Sequence, residues 1–226
     1  MGGSSNQANS IATSQTQVHE KLDSLVKRYQ QAENQRPVSA HTRAAFEQAC
    51  GWLGDWNGDI IIDSCCGVGE STARLGAANP QAKVIGLDKS QARLDKHSHY
   101  QREAKNYAVF RADVIDFWRL IRQHHWQVQQ HYLLYPNPYP KSSQVQKRWH
   151  GSAAFVDLMA MTPNVTVRSN WLVYLLEFAQ AAGHYQVTGD IQQVQTKEAF
   201  TPFERKYLAS GQTCWELICR AEEEEN

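Results

Sequence analysis

Between residues 59 and 135 the chain alternates short apolar runs with stretches of helical periodicity, and this limits its fold most. DIIID at 59–63 is apolar, β-branched and too short for a helix. It follows the turn signal Asn57-Gly58 and predicts a buried strand. A glycine-containing turn comes next, then a helical stretch over 70–78 that Asn79-Pro80 ends. KVIGLD at 83–88 predicts a second buried strand, with Ser90 placed to cap the helix after it. Residues 107–111 read as a third strand. Residues 114–124 read as a helix with Ile115, Trp118, Leu120 and Ile121 apolar, and HYLLY at 131–135 as a fourth strand. Strands alternating with helices predict an α/β fold, a parallel sheet with right-handed crossovers and flanking helices.

The ends extend this plan. Residues 1–17 are rich in Ser, Gln, Asn and Gly and are expected to be disordered. Residues 18–57 form a helical N-terminal extension. Its first helix is expected over 18–35, with Leu22, Leu25, Val26 and Tyr29 on one face, and its second over 40–53. The apolar stripe of the first helix is expected to dock on the sheet or on a second subunit. Residues 58–221 make the main domain and 222–226 an acidic tail. Beyond 135, helices are expected at 152–161 and 171–182, the latter capped by Gly183, with extended segments at 164–169, 185–191 and 214–220.

Charge and cysteines bound the chemistry. The chain has 23 basic and 23 acidic side chains, which argues against a purely charge-driven nucleic-acid binder. The stretch 61–221 nevertheless holds 18 basic against 13 acidic residues. Five cysteines without a CxxC pair point away from a disulfide framework, and no metal site is expected. The histidines, His97, His99, His124 and His125 among them, lack the HExxH pattern and read as surface residues. Trp52, Trp56, Trp118 and Trp126 read as core. With no membrane-length apolar run and no leader pattern, the chain is expected to be cytoplasmic, away from membranes, and a monomer or homodimer.

The turn after the first strand reads DSCCGVGEST at 63–72. Gly67 and Gly69 permit a tight turn and close backbone approach to a ligand. The turn lacks GxGxxG and the P-loop pattern, so it is not a pyrophosphate cradle. Asp63 closes the first strand, Asp88 the second, and Asp113 follows the third. A carboxylate at the second position can take both hydroxyls of a ribose, and one at the first suits an ammonium group. Turn glycines and helix-capping acids explain each feature singly. Together, at consecutive strand ends, they point to a nucleoside cofactor of the S-adenosyl-L-methionine type. Cys65 and Cys66 read as small packing residues of the turn.

The fourth strand leads into YPNPYPK at 135–141. Three prolines stiffen this loop and delete amide donors, leaving Asn137 and Tyr139 on a rigid segment. Asn can pair with a base edge and an aromatic ring can stack on a base. Lys141, Lys147, Arg148 and His150 are placed to supply charge to a phosphate backbone.

DSCCGVGEST, VIGLD, YPNPYPK, RSNW and TPFE together resemble the bacterial tRNA (guanine-N7)-methyltransferase family. The resemblance spans about residues 59–220, and the proline loop is its most specific part. It implies a Rossmann-like class I methyltransferase fold, a mostly parallel seven-stranded sheet flanked by helices, with S-adenosyl-L-methionine as cofactor and tRNA as partner. Carried over, Asp63, Cys65, Gly67, Gly69, Asp88, Lys89, Asp113 and Asn137 would hold the cofactor. Tyr139, Lys141, Asn170, Thr201, Phe203 and Glu204 would contact substrate, and Asn137 is the candidate catalytic residue.

The chain departs from that family at informative positions. The family's Pro-Asp-Pro-Trp reads Pro136-Asn-Pro-Tyr139, and its Thr-Asp-Trp reads Ser169-Asn-Trp171. Pro202 replaces a lysine, Cys65 a glycine, and the basic run after the loop is thinned to Lys147-Arg148. Guanine N7 carries a lone pair and no proton, so its methylation needs alignment rather than a general base. The product base is cationic, and a carboxylate would stabilise the developing charge. Two alternatives follow: the thinned basic run suggests a same-fold enzyme acting on a different substrate, a small one included, and the two amides in place of acids suggest a weak or silent cofactor- or RNA-binding paralogue.

Overall fold

The structure is a computed structural model, and it describes residues 8, 10–32, 35–196 and 198–222. Its elements in chain order are α1 (Leu22–Gln30), α2 (Ala40–Leu53), β1 (Ile60–Ser64), α3 (Glu70–Ala78), β2 (Lys83–Asp88), α4 (Gln91–Leu94), β3 (Tyr107–Arg111) and α5 (Val114–Gln123). Then follow β4 (Val128–Leu134), α6 (Ala154–Met161), β5 (Val165–Ser169), α7 (Leu172–Gly183), β6 (Val187–Gln193), α8 (Pro202–Ala209) and β7 (Trp215–Ala221). Short 3-10 turns occupy His97–His99, Ser142–Lys147 and Trp149–Gly151.

The strands form one sheet in the order β3-β2-β1-β4-β5-β7-β6. β1 to β5 pair in parallel, and β7 runs antiparallel to both β5 and β6. The fold expected from sequence is therefore the fold observed. β1 lies between β2 and β4, and all five of its residues are buried, as a central parallel strand requires. Strand order reverses there, so the loops after β1 and β4 splay apart and open a crevice.

A buried polar trio braces this centre. Ser64 Oγ accepts from Trp118 Nε1 at 2.9 Å and meets His131 Nε2 at 2.8 Å. Burial alone holds His131 down to about 3, so the ring is neutral. α1 buries Leu22, Leu25 and Val26, and docks on α7 and the turn at Trp149–Gly151.

Several local expectations are corrected. The first helix spans Leu22–Gln30 rather than 18–35, because the polar sequence after Tyr29 has no apolar face to bury. Ser90 makes no side-chain cap; its N–H donates instead to Asp88 Oδ1 at 2.8 Å. Gly183 is the last helical residue rather than a left-handed cap, and Gln186 takes the positive φ (59°) in the turn that follows. α8 is a helix that the sequence pattern above does not mark. Its start is signalled by Thr-Pro-Phe-Glu: Thr201 Oγ1 accepts from Glu204 N–H at 3.0 Å and Pro202 occupies the first turn. Trp56 is 37% exposed rather than core, its indole N–H donating to Asp59 O.

Within the stretch read as disordered, residues 1–7 and 9 lie outside the described residues. Residues 10–17 form no helix or strand, yet Thr13 and Gln15 bond to the proline loop and to Glu177. Of the acidic tail, residues 223–226 lie outside the described residues. Among the described residues no helix is long and apolar enough to cross a membrane.

Candidate functional site

The turn between β1 and α3 is held by two acids. Asp63 is fully buried at the end of β1, and its Oδ2 accepts from Ser71 Oγ (2.7 Å) and Thr72 Oγ1 (2.6 Å) of α3. Its Oδ1 is buried with no partner. Burial pushes the Asp63 carboxyl up to about 6, with the Asp88 charge adding to it, against the two hydroxyl bonds. Asp88 is also buried. Its Oδ2 accepts from Gly67 N–H at 2.9 Å, and Arg93 stands 3.5 Å away.

Gly69 sits at φ +74°, where a Cβ would lie 2.5 Å from His97 Nδ1, so only glycine fits. His97 is buried rather than on the surface, and its Nδ1 meets Val68 O at 2.9 Å. Sequence reading missed it, since a lone histidine carries no signal of which turn it will brace. Cys65 takes φ +61°. Desolvation, then the Asp88 and Asp63 charges, push its thiol up to about 12, leaving it unreactive as a thiolate.

Asp113 stands at the next strand end. Its Oδ1 caps α5 through Ile115 N–H at 3.0 Å, and its Oδ2 lies 3.5 Å from Arg36. Topology places Asp113, Asp63 and Asp88 at neighbouring strand ends. Lys89 is exposed just after β2.

The loop after β4 carries strain. Tyr135 and Tyr139 take φ +54° and +44°, the left-handed region that a side chain disfavours. Asn137 is exposed at its tip, and its Oδ1 accepts from Tyr139 N–H at 3.3 Å. Lys141 is exposed, and Lys147 Nζ lies 5.9 Å from the Tyr139 ring centre.

Arg148 and His150 do not face solvent. Both are fully buried against Glu177, whose Oε2 lies 2.5 Å from Arg148 Nη1 and 2.8 Å from His150 Nε2. Burial opposes the Glu177 charge, but these two groups outweigh it and hold the carboxyl down to about 2. The expectation that Arg148 and His150 serve a phosphate backbone is therefore corrected: Glu177 draws both inward.

α8 closes the other side. Glu204 is fully buried; its Oε2 accepts from Tyr135 OH (2.8 Å) and Arg168 Nη1 (3.0 Å), and its Oε1 from Phe200 N–H (3.1 Å). Glu204 thus braces the strained Tyr135. Thr201 is buried as the cap of α8, while Phe203 is 44% exposed and stacks on Tyr207. Asn170, after β5, donates from Nδ2 to Gln212 Oε1 at 2.8 Å. Arg205 of α8 reaches Glu70 at 2.6 Å and ties this helix to the glycine turn. A separate cleft of about 350 Å³, lined by Gln30, Arg119, Arg122 and Asp157 among others, takes in none of these residues.

A seven-stranded sheet of this order, with a glycine turn and acids at successive strand ends, defines a class I S-adenosyl-L-methionine-dependent methyltransferase. The family model described as "Putative methyltransferase" matches residues 57–217. The chain belongs to that family, the tRNA guanine-N7 methyltransferase family.

The fold is similar to that of the 16S rRNA (adenine(1408)-N(1))-methyltransferase from Catenulisporales acidiphilia, with a TM-score of 0.55 at 14% identity over 84% of this chain and 98% of that one. The 16S rRNA methyltransferase KamB (TM-score 0.54, 14% identity, 82% and 95% covered) and the antibiotic-resistance methyltransferase Kmr (0.53, 15%, 84% and 97%) are similar in the same way. No curated relative matches the sequence. S-adenosyl-L-methionine is the cofactor. The residues fit it: Asp63 presents a buried oxygen without a donor, and beside Gly67 the turn leaves open space, where a Cβ would meet nothing within 4 Å.

Proposed function

We propose that the chain is an RNA methyltransferase that modifies N7 of a guanosine in tRNA. The observation that supports it best is the braced proline loop beside the cofactor turn. β4 pairs directly with β1, so the loop that follows β4 emerges next to Asp63 and Gly67. Three prolines and the Tyr135–Glu204 bond hold Asn137 and Tyr139 in place with Asn137 at the tip.

When bound, S-adenosyl-L-methionine supplies an electrophilic methyl group. Asp63 is suited to its ammonium and Asp88 to its ribose hydroxyls. Guanine N7 brings its own lone pair, so no side chain has to remove a proton. The residues' work is to hold the base in line. Tyr139 offers a ring to stack on, Asn137 an amide for the base edge, and Lys141 and Lys147 charge for phosphate.

One observation favours a second reading. With Arg148 and His150 buried, the basic surface beside the loop shrinks to Lys141 and Lys147, which suits a small substrate better than tRNA. Incubating the protein with labelled S-adenosyl-L-methionine and unmodified tRNA, then mapping the product nucleoside, decides between them. N7-methylguanosine is the expected product. Cofactor binding without transfer to tRNA sinks the tRNA assignment and leaves the small-substrate enzyme.

A further inference from the structure

We infer that Arg148 is a positioning residue for methyl transfer, holding the base-site loop in its strained shape through that loop's carbonyls. This inference rests on the proposed reading of the loop as the base site. The loop has a bookkeeping problem of its own. Prolines 136, 138 and 140 have no N–H, so the segment has few backbone donors of its own. Its carbonyls need donors from outside.

Arg148 supplies them. Nε and Nη2 both donate to Tyr139 O at 3.1 Å, and Nη2 also donates to Lys141 O at 3.2 Å. Thr13 Oγ1 takes the carbonyl between them, Pro140 O, at 2.5 Å. Three consecutive carbonyls, beginning at the residue with φ +44°, are thus held from outside, Lys141 O also taking Gln144 N–H at 2.9 Å.

The guanidinium is itself fixed on every side. Glu177 faces Nη1, Gln15 Oε1 accepts from Nη2 at 2.9 Å, and the Trp171 ring lies 4.9 Å from its carbon. Glu177 Oε1 in turn takes Gln15 Nε2 (2.7 Å) and His19 N–H (2.9 Å). The arrangement uses the planar fork of arginine, which a lysine cannot reproduce. It also assigns residues 13–19 a role in keeping the loop still.

Arg148→Lys tests this, since it keeps a positive charge opposite Glu177 and loses the fork. Three readouts are needed: cofactor affinity by calorimetry, kcat and KM for tRNA, and amide exchange over 135–141. The expected result is unchanged cofactor affinity, little change in KM, and a kcat lower by about 10- to 100-fold, as a displacement of about 1 Å produces. Exchange at Asn137, Tyr139 and Lys141 should speed up while residues 63–72 stay as they are.

A raised KM for tRNA with an intact kcat overturns the inference in favour of a phosphate contact. So does an unchanged kcat per cofactor-binding molecule with only a lowered Tm, the signature of a purely structural residue. If the wild type transfers no methyl to tRNA, the functional reading fails instead. Exchange over 135–141 then still decides the inference, and an unaltered pattern overturns it. Glu177→Gln, which keeps hydrogen bonding to Arg148, is the second variant and should show the same pattern more weakly.

Discussion

Asp63→Asn separates what the cofactor site costs the fold from what it gives the ligand. The wild-type carboxyl is fully buried and held up to about 6 against an ordinary 3.8. A shift of about two units corresponds to ~3 kcal/mol that the ionised acid takes from the ligand-free fold at neutral pH. The sign follows from proton binding: the folded state holds the proton more tightly than the unfolded one. Stability of the free protein therefore rises as pH falls from about 6 towards 4, and the full cost is present at neutral pH.

Asparagine keeps an acceptor for Ser71 and Thr72 but puts an NH2 where Oδ1 has no partner, a cost of about 1–2 kcal/mol. The balance is a gain of about 1–2 kcal/mol at neutral pH, turning into a loss of similar size near pH 4. If the cofactor's ammonium sits on Asp63 as proposed, it loses a charge-assisted bond worth ~1.5–3 kcal/mol, so its Kd should rise about 10- to 150-fold. Urea unfolding at the two pH values and calorimetric titration at neutral pH measure both effects. A variant destabilised at neutral pH, with wild-type cofactor affinity, would refute the reasoning.

Other perturbations act on single supports. Gly69→Ala forces a Cβ against His97 at a positive φ, and should lower stability by about 1–3 kcal/mol in urea unfolding and weaken cofactor binding. Thr201→Ala removes the α8 cap, costing ~1 kcal/mol in the same assay, and should lower tRNA methylation less than loss of Glu204 does. Glu177 is depressed to about 2, so it adds stability above the ordinary carboxyl range and loses it as pH falls through about 2. Acid titration of Tm should show that loss in the wild type and not in Glu177→Gln. Asn137→Asp should raise methylation of tRNA by about 10-fold, the worth of one charge at a developing cation, and an unchanged rate tells against the charge account.

The sheet was legible because its order follows from local pattern. β1, β2 and β3 are short apolar runs closed by turn signals, and each acid at a strand end can be located by counting. α2 and α3 match their expected limits, and Asn79-Pro80 marks the end of α3. Arg148 was misread for a physical reason. A basic residue after a lysine looks like surface, and only the fold brings Glu177, 29 positions away, against it. His97 and Glu70 are likewise defined by partners distant in sequence, Val68 O and Arg205. α8 is legible in principle, since Thr201-Pro202-Phe-Glu204 carries its cap, although the family resemblance points to a substrate motif there.

The same partners decide what charge this site can offer a forming cation. Two carboxylates support the loop, and both are committed. Glu204 is matched by Arg168 and Tyr135, and Glu177 by Arg148 and His150, so neither projects uncompensated charge towards Asn137. Asp63 remains, but it is burdened by burial and suited to an ammonium group. Asn170 has its amide engaged by Gln212. On the proposed reading, charge stabilisation of a cationic product would therefore be weak here, and rate would come from geometry. That explains why a chain with amides at Asn137 and Asn170 would invest a buried arginine, three prolines and an N-terminal segment in keeping one loop rigid. Where the electrostatic contribution is small, a displacement of the loop is not offset by anything else in the site.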